Sequence, residues 1–429
     1  MTCDIAIIGA GWAGFNAALR AKSLGLKTVL IEESFIGGTC LNSGCIPTKI
    51  FVQTAKILEE TRKAKLFGVE INTSPELNFS AILARKERVI QILRQGMESR
   101  LSGIDFLKGR AEIIDNQRIK IADSEIQVKY ILLASGSRVF ELPGFAFDGR
   151  KIISSEHILN LEKIPESLLI IGGGVIGCEF AQVFSSMGSK VTIVEITGQL
   201  LPGVDKEIAK KLEIVFKKKK INVNIFTDAH SFDLNNFEKV LVSVGRKANI
   251  EGLEKLGIET GKNGIKTDEY LRTSIPNIYA AGDCTGKLML AHFASYQGIR
   301  AAGNIAFPEK AQKADNAVVP GCIFTAPEIG VIGLNEEQAK LTGAEIKINK
   351  FDFLGSGMAR IQDETEGFIK VISEEKTGKI LGAHLIGPKA TELISVFGVA
   401  ISSGLSVEML KKVIFAHPTL SEAILEVLE

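Results

Sequence analysis

The chain has 429 residues, 45% of them hydrophobic and 24% charged, and its 51 basic and 50 acidic residues leave a net charge of +1. This length predicts roughly two to four domains with ample core, in a composition ordinary for a soluble globular protein. The charge balance argues against a nucleic-acid or acidic-partner surface, and the most apolar long run, Ile394–Val407, carries four serines and is a poor membrane span.

The first predicted element is immediate: MTCDIAIIGAG is a strand entering a turn, with no charged leader or transit segment ahead of it. A cytoplasmic protein is expected. In that reducing compartment a close cysteine pair points to catalysis or metal binding rather than to a structural bridge. The whole first unit, CDIAIIGAGWAGFNAALRAKSLGLKTVLIEE (Cys3–Glu33), reads as apolar strand, glycine turn, amphipathic helix and second strand. In that setting Gly9, Gly11 and Gly14 carry distinct tasks: a tight turn, close approach of backbone to a pyrophosphate, and close helix–strand packing. The helix N-terminus offers free N–H groups to phosphates, and Glu32, closing the second strand, can accept from ribose hydroxyls.

GGTCLNSGCIPTK (Gly37–Lys49) follows, with Cys40 and Cys45 five positions apart. Neither a second C-x-x-C nor a nearby histidine supports a metal. Inert core positions suit the isolated Cys3, Cys178, Cys284 and Cys322 better than this polar, glycine-flanked pair. Positions i and i+5 of a regular α-helix lie about 500° and 7.5 Å apart, beyond the Cα separation a disulfide tolerates. The stretch is therefore expected to be a turn or a distorted first helical turn, made available by Gly37, Gly38 and Gly44. Pro47 is expected to disturb any helix running through it. A helix starting here would depress nearby thiol pKa values, making thiol–disulfide exchange the natural chemistry.

The first unit recurs at a constant offset of 163 as SLLIIGGGVIGCEFAQVFSSMGSKVTIVE (Ser167–Glu195). Gly172, Gly174 and Gly177 match the three glycines, and Glu195 matches Glu32. One G-x-G-x-x-G could be an ordinary tight turn; two copies, each with its acid 23 residues on, predict two dinucleotide sites. Glu195 would repel a 2′-phosphate and no arginine follows it closely, which favours NAD over NADP. The basic run Lys217–Lys220 reads as a solvated helix end. About thirteen residues separate INVNIF from VLVSVGRKAN, a short connection.

With these residues in view, the chain resembles, over nearly its whole length, the flavin-dependent pyridine nucleotide–disulfide oxidoreductases. GGTCLNSGCIPTK resembles that family's redox disulfide motif, and SIPNIYAAGDCTGKLMLAHFA (Ser274–Ala294) its second flavin-binding segment, with Asp283 toward the ribityl or phosphate side. FTAPEIGVIGLNEEQAK (Phe324–Lys340) resembles the entry to its dimerisation domain, and AHPTLSEAILE (Ala416–Glu426) its catalytic His–Glu motif, His417 and Glu422. The resemblance implies a Cys40–Cys45 disulfide, FAD at Gly9, Gly11, Gly14, Glu32, Gly38, Thr39 and Asp283, and NAD at Gly172, Gly174, Gly177 and Glu195. It pairs Lys49 with Glu179 beside the flavin; taken alone these are a surface lysine and a helix-face glutamate. Of the other histidines, His157, His230 and His384 read as structural, and His292 lies in the flavin-like segment. The His417–Pro418 bond is a candidate for cis.

The implied reaction is oxidation of dihydrolipoamide to lipoamide with reduction of NAD⁺. His417, oriented by Glu422, would take a substrate proton, the substrate thiolate would attack Cys40, and Cys45 would be the thiolate facing FAD. The implied partners are free dihydrolipoamide or a lipoyl-bearing protein of a 2-oxo acid dehydrogenase or glycine cleavage complex. A homodimer is also implied, with the catalytic histidine reaching the other subunit's disulfide. The expected fold is α/β: two Rossmann-like domains, for FAD (1–148 and 249–315) and a shortened one for NAD (149–248), then an α+β dimerisation domain (316–429). Two departures stand out: Ser135 in place of a usual threonine, and Ser43 in place of an apolar residue between the cysteines. Rival disulfide reductases fit less well. A mercuric type wants a C-terminal cysteine pair, whereas the last cysteine is Cys322; a glutathione type prefers NADPH, against Glu195; a coenzyme A disulfide type uses one active cysteine. A non-catalytic flavin-bearing component of a multi-enzyme complex is the rival of another class, against the intact Cys40/Cys45 and His417/Glu422 sets.

Overall fold

The computed structural model describes residues 1–73, 75–314 and 318–429, so the expected boundary between 315 and 316 lies outside the described residues. The first unit is β1 (Thr2–Ile8), α1 (Trp12–Ser23) and β2 (Thr28–Glu32). The cysteine stretch becomes two helices, α2 (Gly38–Asn42) and α3 (Cys45–Lys63), broken at Ser43 and Gly44. Pro47 does not disturb α3 as the sequence suggests: it is the third residue, where the amide has no intrahelical acceptor to lose. Next come α4 (Phe79–Arg100), β3 (Asp105–Lys108), β4 (Ala111–Ile113), β5 (Arg118–Ile121) and β6 (Ser124–Leu133). β7 (Ser137–Val139) and β8 (Ile152–Ile153) lead to the second unit, β9 (Ser167–Ile171), α5 (Val175–Ser186) and β10 (Lys190–Val194). After it run α6 (Lys206–Lys218), β11 (Asn222–Asn224), β12 (Lys239–Val242), β13 (Arg246–Ala248), β14 (Ile278–Ala280) and α7 (Ala291–Ala306).

β6 shows how sequence pattern tracks pairing. Its first half alternates exposed and buried residues and pairs antiparallel with β5. Its last three residues are all buried, where it lies parallel between β1 and β14. The first sheet thus has a parallel heart, β3-β2-β1-β6-β14, with the β4–β5 meander on the free half of β6. The second sheet, β11-β10-β9-β12-β8, is parallel throughout. The chain leaves the first sheet after β6 and returns with β14, and the antiparallel pair β7–β13 joins the outgoing and returning strands. The short connection before β12 closes as two 3-10 turns, Ala229–Ser231 and Leu234–Asn236, each capped by an aspartate; Phe232 and Phe237 pack beneath them.

The C-terminal part is an antiparallel sheet, β15 (Gly321–Ile323), β16 (Glu328–Gly333), β17 (Ile346–Asp352), β18 (Phe368–Glu374) and β19 (Ile380–Gly387), in the order β15-β16-β19-β18-β17. Its helices are α8 (Glu336–Leu341), α9 (Gly357–Ile361), α10 (Ala390–Ser402), α11 (Val407–Leu410) and α12 (Glu422–Glu426). The apolar run Ile394–Val407 is α10 and the turn after it, and among the described residues no helix is long and apolar enough to cross a membrane.

One core joins the three parts. Phe51 of α3 stacks on Phe184 of α5 and meets Phe79 of α4 edge-on, and this cluster continues into Ile329, Phe368 and Ile386 of the C-terminal sheet. Each such buried side chain contributes about 1.5–3 kcal/mol. Charge adds a second joint. Lys370 of β18, its side chain 2% exposed, meets Asp205 at 3.0 Å, Glu207 at 3.0 Å and Glu336 at 3.2 Å. Burial opposes its ammonium, but Glu207, Asp205 and Glu336 outweigh burial and hold it above its ordinary pKa. Lys370→Ala strands the buried Asp205 carboxylate and is expected to cost about 3–5 kcal/mol. The urea midpoint of unfolding measures this; a cost below about 1 kcal/mol would mean water replaces the ammonium. The run Lys217–Lys220 is likewise more than a solvated end: Lys218 pairs with Glu366, and Lys219, whose pKa burial lowers, pairs with Glu59 of α3 at 3.0 Å.

Candidate active site

The two glycine turns are near copies. Gly9 has φ +100° and Gly172 φ +102°, and a Cβ at either would collide with the carbonyl of a neighbouring strand end, Ala134 at 2.3 Å or Ser243 at 2.7 Å. Cβ atoms on Gly14 and Gly177 would come within 1.8 and 2.0 Å of the Gly9 and Gly172 oxygens, the close packing expected of the third glycine. At the second glycine the requirement reverses: beside Gly174 nothing lies within 4 Å, and beside Gly11 only Gly38 Cα at 3.9 Å. Neither α1 nor α5 has a side-chain cap, so their first-turn N–H groups face this space and fit a diphosphate. Glu32 accepts from the Ala10 and Ser34 amides at 2.7 and 2.8 Å; Glu195 accepts from Gly173 and Thr197 at the same distances and is buried rather than solvated.

Several predicted residues converge on the first turn. Gly38 packs against Gly11, where its own Cβ would lie 2.9 Å from Gly11 Cα. Asp283 accepts from Ser137 Oγ at 2.6 Å. Arg246, which the sequence reading passes over, ties this group together: it donates to the Ser137 side chain and carbonyl at 2.8 Å and to Thr39 Oγ1 at 3.4 Å. Arg246 stands four residues beyond the end of β12, and nothing in its spacing singled it out. Ser135, the threonine departure, donates to the Asn249 carbonyl at 2.6 Å.

The cysteines are free thiols here, Cys40 half-buried at the middle of α2 and Cys45 exposed as the first residue of α3. Gly44 makes the step between them possible, since a Cβ there would lie 2.9 Å from the Thr39 oxygen. The two thiols have split properties. The neighbouring Cys40 thiol and then the charge of Lys49 draw Cys45 down to about 7. The Cys45 neighbour and then burial push Cys40 upward, while the charge of Lys49 favours a negative charge on either sulfur. Lys49 lies one helical turn beyond Cys45 and is held at 2.7 and 2.6 Å by both oxygens of Glu179, which is buried on α5. Glu179 also accepts from the Phe324 amide at 2.9 Å, and the Phe324 ring lies 4.5 Å from Lys49 Nζ. In the reduced protein, iodoacetamide labelling of Cys45 should rise with pH through a midpoint near 7. Lys49→Met should raise that midpoint by about one unit, read by peptide mass; an unchanged midpoint would remove Lys49 from the account.

His417 Nδ1 lies 2.7 Å from Glu422 Oε1, and Glu422 also accepts from the Thr419 amide at 2.9 Å. The Thr419 amide and then His417 hold the Glu422 carboxyl below its ordinary pKa. His417–Pro418 is cis, as is Ala326–Pro327. The pair is not brought to the cysteines: His417 is 82% exposed, and among the described residues no hydrogen bond or ion pair joins it to Cys40 or Cys45 in the same chain. The remaining cysteines and histidines need small adjustments. Burial pushes Cys3 and Cys284 up to about 11, as core thiols. Cys322 is half-buried rather than core. His292 meets the Pro320 carbonyl at 2.9 Å, His157 and His230 bond locally to Ser154 and Asp228, and His384 meets the Leu334 carbonyl of a distant segment.

Comparison with known proteins places this geometry. Residues 3–298 match the pyridine nucleotide-disulphide oxidoreductases, and residues 319–428 the dimerisation domain of the same group. The dihydrolipoyl dehydrogenase of Chlamydia muridarum is 40% identical, covering 98% of this chain and 94% of that relative. A dihydrolipoyl dehydrogenase of Bacillus subtilis is 36% identical over 99% of this chain and 97% of its own length. Among solved structures, LpdA of Mycobacterium tuberculosis aligns with a TM-score of 0.91 at 28% identity, and the HOCl-induced flavoprotein disulfide reductase RclA of Escherichia coli with 0.88 at 29%; each alignment covers 99% of both chains.

Proposed function

The chain belongs to the pyridine nucleotide-disulphide oxidoreductase family, and we propose from that premise which of its groups carry out a dihydrolipoyl dehydrogenase reaction. It is a flavoprotein disulfide oxidoreductase that uses FAD and NAD and oxidises dihydrolipoamide to lipoamide. The observation that carries the residue assignment is the cysteine pair at the break between α2 and α3, with Lys49 one turn beyond Cys45 and locked in place by the buried Glu179 carboxylate.

His417 uses Nε2, because Glu422 occupies Nδ1; it takes the proton of one substrate thiol. The substrate thiolate attacks Cys40 Sγ of the Cys40–Cys45 disulfide, and the electron pair of the broken bond goes to Cys45 Sγ, where Lys49 balances the charge. The substrate's second sulfur then displaces Cys40. Gly9, Gly11, Gly14, Glu32, Gly38, Thr39 and Asp283 are the residues to hold FAD; Gly172, Gly174, Gly177 and Glu195 hold NAD. FAD, when bound, carries the electron pair from the dithiol to NAD⁺.

A single chain leaves His417 away from its cysteines, and exposed apolar residues flank it, Ile414 at 96% exposure and Val413 at 44%. Both features support an isologous homodimer in which each His417–Glu422 pair serves the other subunit. The return of β14 to the first sheet supports a divided FAD domain, with parts at 1–148 and 249–315 around an NAD part at 149–248 and a dimerisation domain at 316–429. The physiological substrate is a lipoyl-bearing carrier of a 2-oxo acid dehydrogenase or glycine cleavage complex, in the cytoplasm.

The test is the initial rate of NAD⁺ reduction by dihydrolipoamide with FAD-loaded protein, NADP⁺ in parallel. NADH formation with little NADPH is expected, because a 2′-phosphate would meet the Glu195 carboxylate. No rate with either nucleotide would overturn the substrate assignment.

A further inference from the structure

Phe226 is the most exposed phenylalanine among the described residues, at 79%, and the one aromatic residue among them with a left-handed backbone, φ +51°. A bulky side chain rarely adopts that backbone, and an apolar ring left in water gains nothing by it. The chain nevertheless holds the residue in place. β10 and β11 run parallel with Val194 opposite Asn224, so the loops after them leave the sheet side by side. The Glu195 amide donates to the Asn224 carbonyl at 2.8 Å, the Phe226 amide to the Thr197 carbonyl at 2.9 Å and the Thr227 amide to the Glu195 carbonyl at 3.0 Å. The tip of the ring meets Gly198, where a Cβ would lie 2.3 Å from Cζ. Gly198 has no left-handed φ to require a glycine, so the ring is what its missing side chain makes room for. Ile196, two residues before Gly198, is 72% exposed. Two exposed apolar side chains thus stand at the carboxyl ends of two parallel strands, the edge at which open α/β sheets take their ligands.

We propose that the Phe226 ring is the platform on which the adenine of NAD stacks in the second dinucleotide site. This deepens the reading of Gly174 and Glu195 as that site and rests on it. The order of parts in a dinucleotide fixes where the base goes. The diphosphate belongs at the open Gly174 turn and the start of α5, and the adenosine ribose at Glu195. Both Glu195 oxygens already accept amides, yet a carboxylate keeps further lone pairs for ribose hydroxyls. The base is bonded to the far side of that ribose from the diphosphate. It therefore projects past Glu195, over the loops that carry Ile196, Gly198 and Phe226. A purine offers a flat π-face, and an exposed ring pinned at its tip offers another; stacking takes both out of water. The ring takes no part in electron transfer, so its effect falls on nucleotide binding.

The test is calorimetric titration of ADP-ribose, the adenine half of NAD, into FAD-loaded protein, in which flavin already fills the first site. Phe226→Ala should weaken binding about tenfold or more, the usual result of removing an aromatic ring from beneath a base. Phe226→Tyr should bind within about threefold of wild type, since it keeps the π-face. Gly198→Ala should also weaken binding, because its Cβ pushes the ring aside while the ring stays in the chain. In turnover, Phe226→Ala should raise the KM for NAD⁺ by about tenfold, with kcat moving far less. Phe226→Gly separates a platform from a packing residue. It relieves the left-handed backbone, so the melting temperature should not fall, while ADP-ribose binding weakens as in Phe226→Ala. Unchanged ADP-ribose affinity in Phe226→Ala would overturn the proposal. So would a lowered melting temperature in Phe226→Gly, which would make the ring part of the packing. Wild-type binding that Glu195→Ala weakens and Phe226→Ala does not would leave the dinucleotide site standing and remove only the platform. No ADP-ribose binding by the wild type would remove both.

Discussion

Cys45→Ser is expected to reduce dihydrolipoamide-dependent NADH formation to background while the protein still binds FAD. A serine hydroxyl cannot close a disulfide with Cys40, so substrate attack on Cys40 has no bond to break and no sulfur to receive the electron pair. The loss is not one of stability: Cys45 is exposed and begins α3, where serine is well tolerated. Lys49 keeps its pairing with Glu179, so the surrounding geometry survives. Absorbance of bound flavin and the rate of NADH formation measure the two halves of the prediction. Turnover within about tenfold of wild type would show that the electrons bypass the disulfide; a true loss of the nucleophile pair leaves far less.

His417→Gln is the second large effect, a fall in turnover of about 10²–10⁴-fold, the usual worth of a positioned general base. Glutamine keeps a side chain that Glu422 can bond but cannot take the substrate proton. The fall should be smaller at high pH, where substrate thiols ionise unaided. Mixing subunits then decides whose cysteines His417 serves. A heterodimer of Cys45→Ser and His417→Gln subunits has one doubly defective and one intact site if sites are shared across the two-fold axis. Random exchange makes half the dimers such hybrids, so about a quarter of wild-type activity should return. If each subunit kept its own histidine, every site would carry one defect and nothing would return.

The two dinucleotide turns were legible because each needs a local pattern: buried strand, glycines at fixed places, helix, and an acid at the end of the next strand. Gly14 and Gly177 meet their own turns at 1.8 and 2.0 Å, contacts that depend on residues a few positions away. The cysteine pair was legible for the same reason, and the break at Ser43–Gly44 is what the disulfide geometry demanded. Pairings across long separations were not. Lys370 and Asp205 are 165 residues apart, and Lys219 and Glu59 are 160 apart, so no local pattern announces either. Lys49 and Glu179, 130 apart, were matched only through the family likeness. Pro47 was misjudged because its cost depends on whether the helix begins two residues before it or ten. Arg246 acts through side-chain reach, which period and spacing do not encode.

The charged joints around the second sheet bear on modular engineering. Glu179 reaches Lys49, Lys219 reaches Glu59, and Asp205 with Glu207 reaches Lys370, so the inserted unit is anchored to the first and last thirds of the chain, from the middle of α5 and from both ends of α6. A cassette exchanged from a relative to alter nucleotide preference would have to import these four acceptors and donors along with its glycine turn. A transplant matched only at the turn would bind its nucleotide while sitting loose on the chassis, and the sulfur chemistry at Cys45 would lose the lysine that depends on that seat.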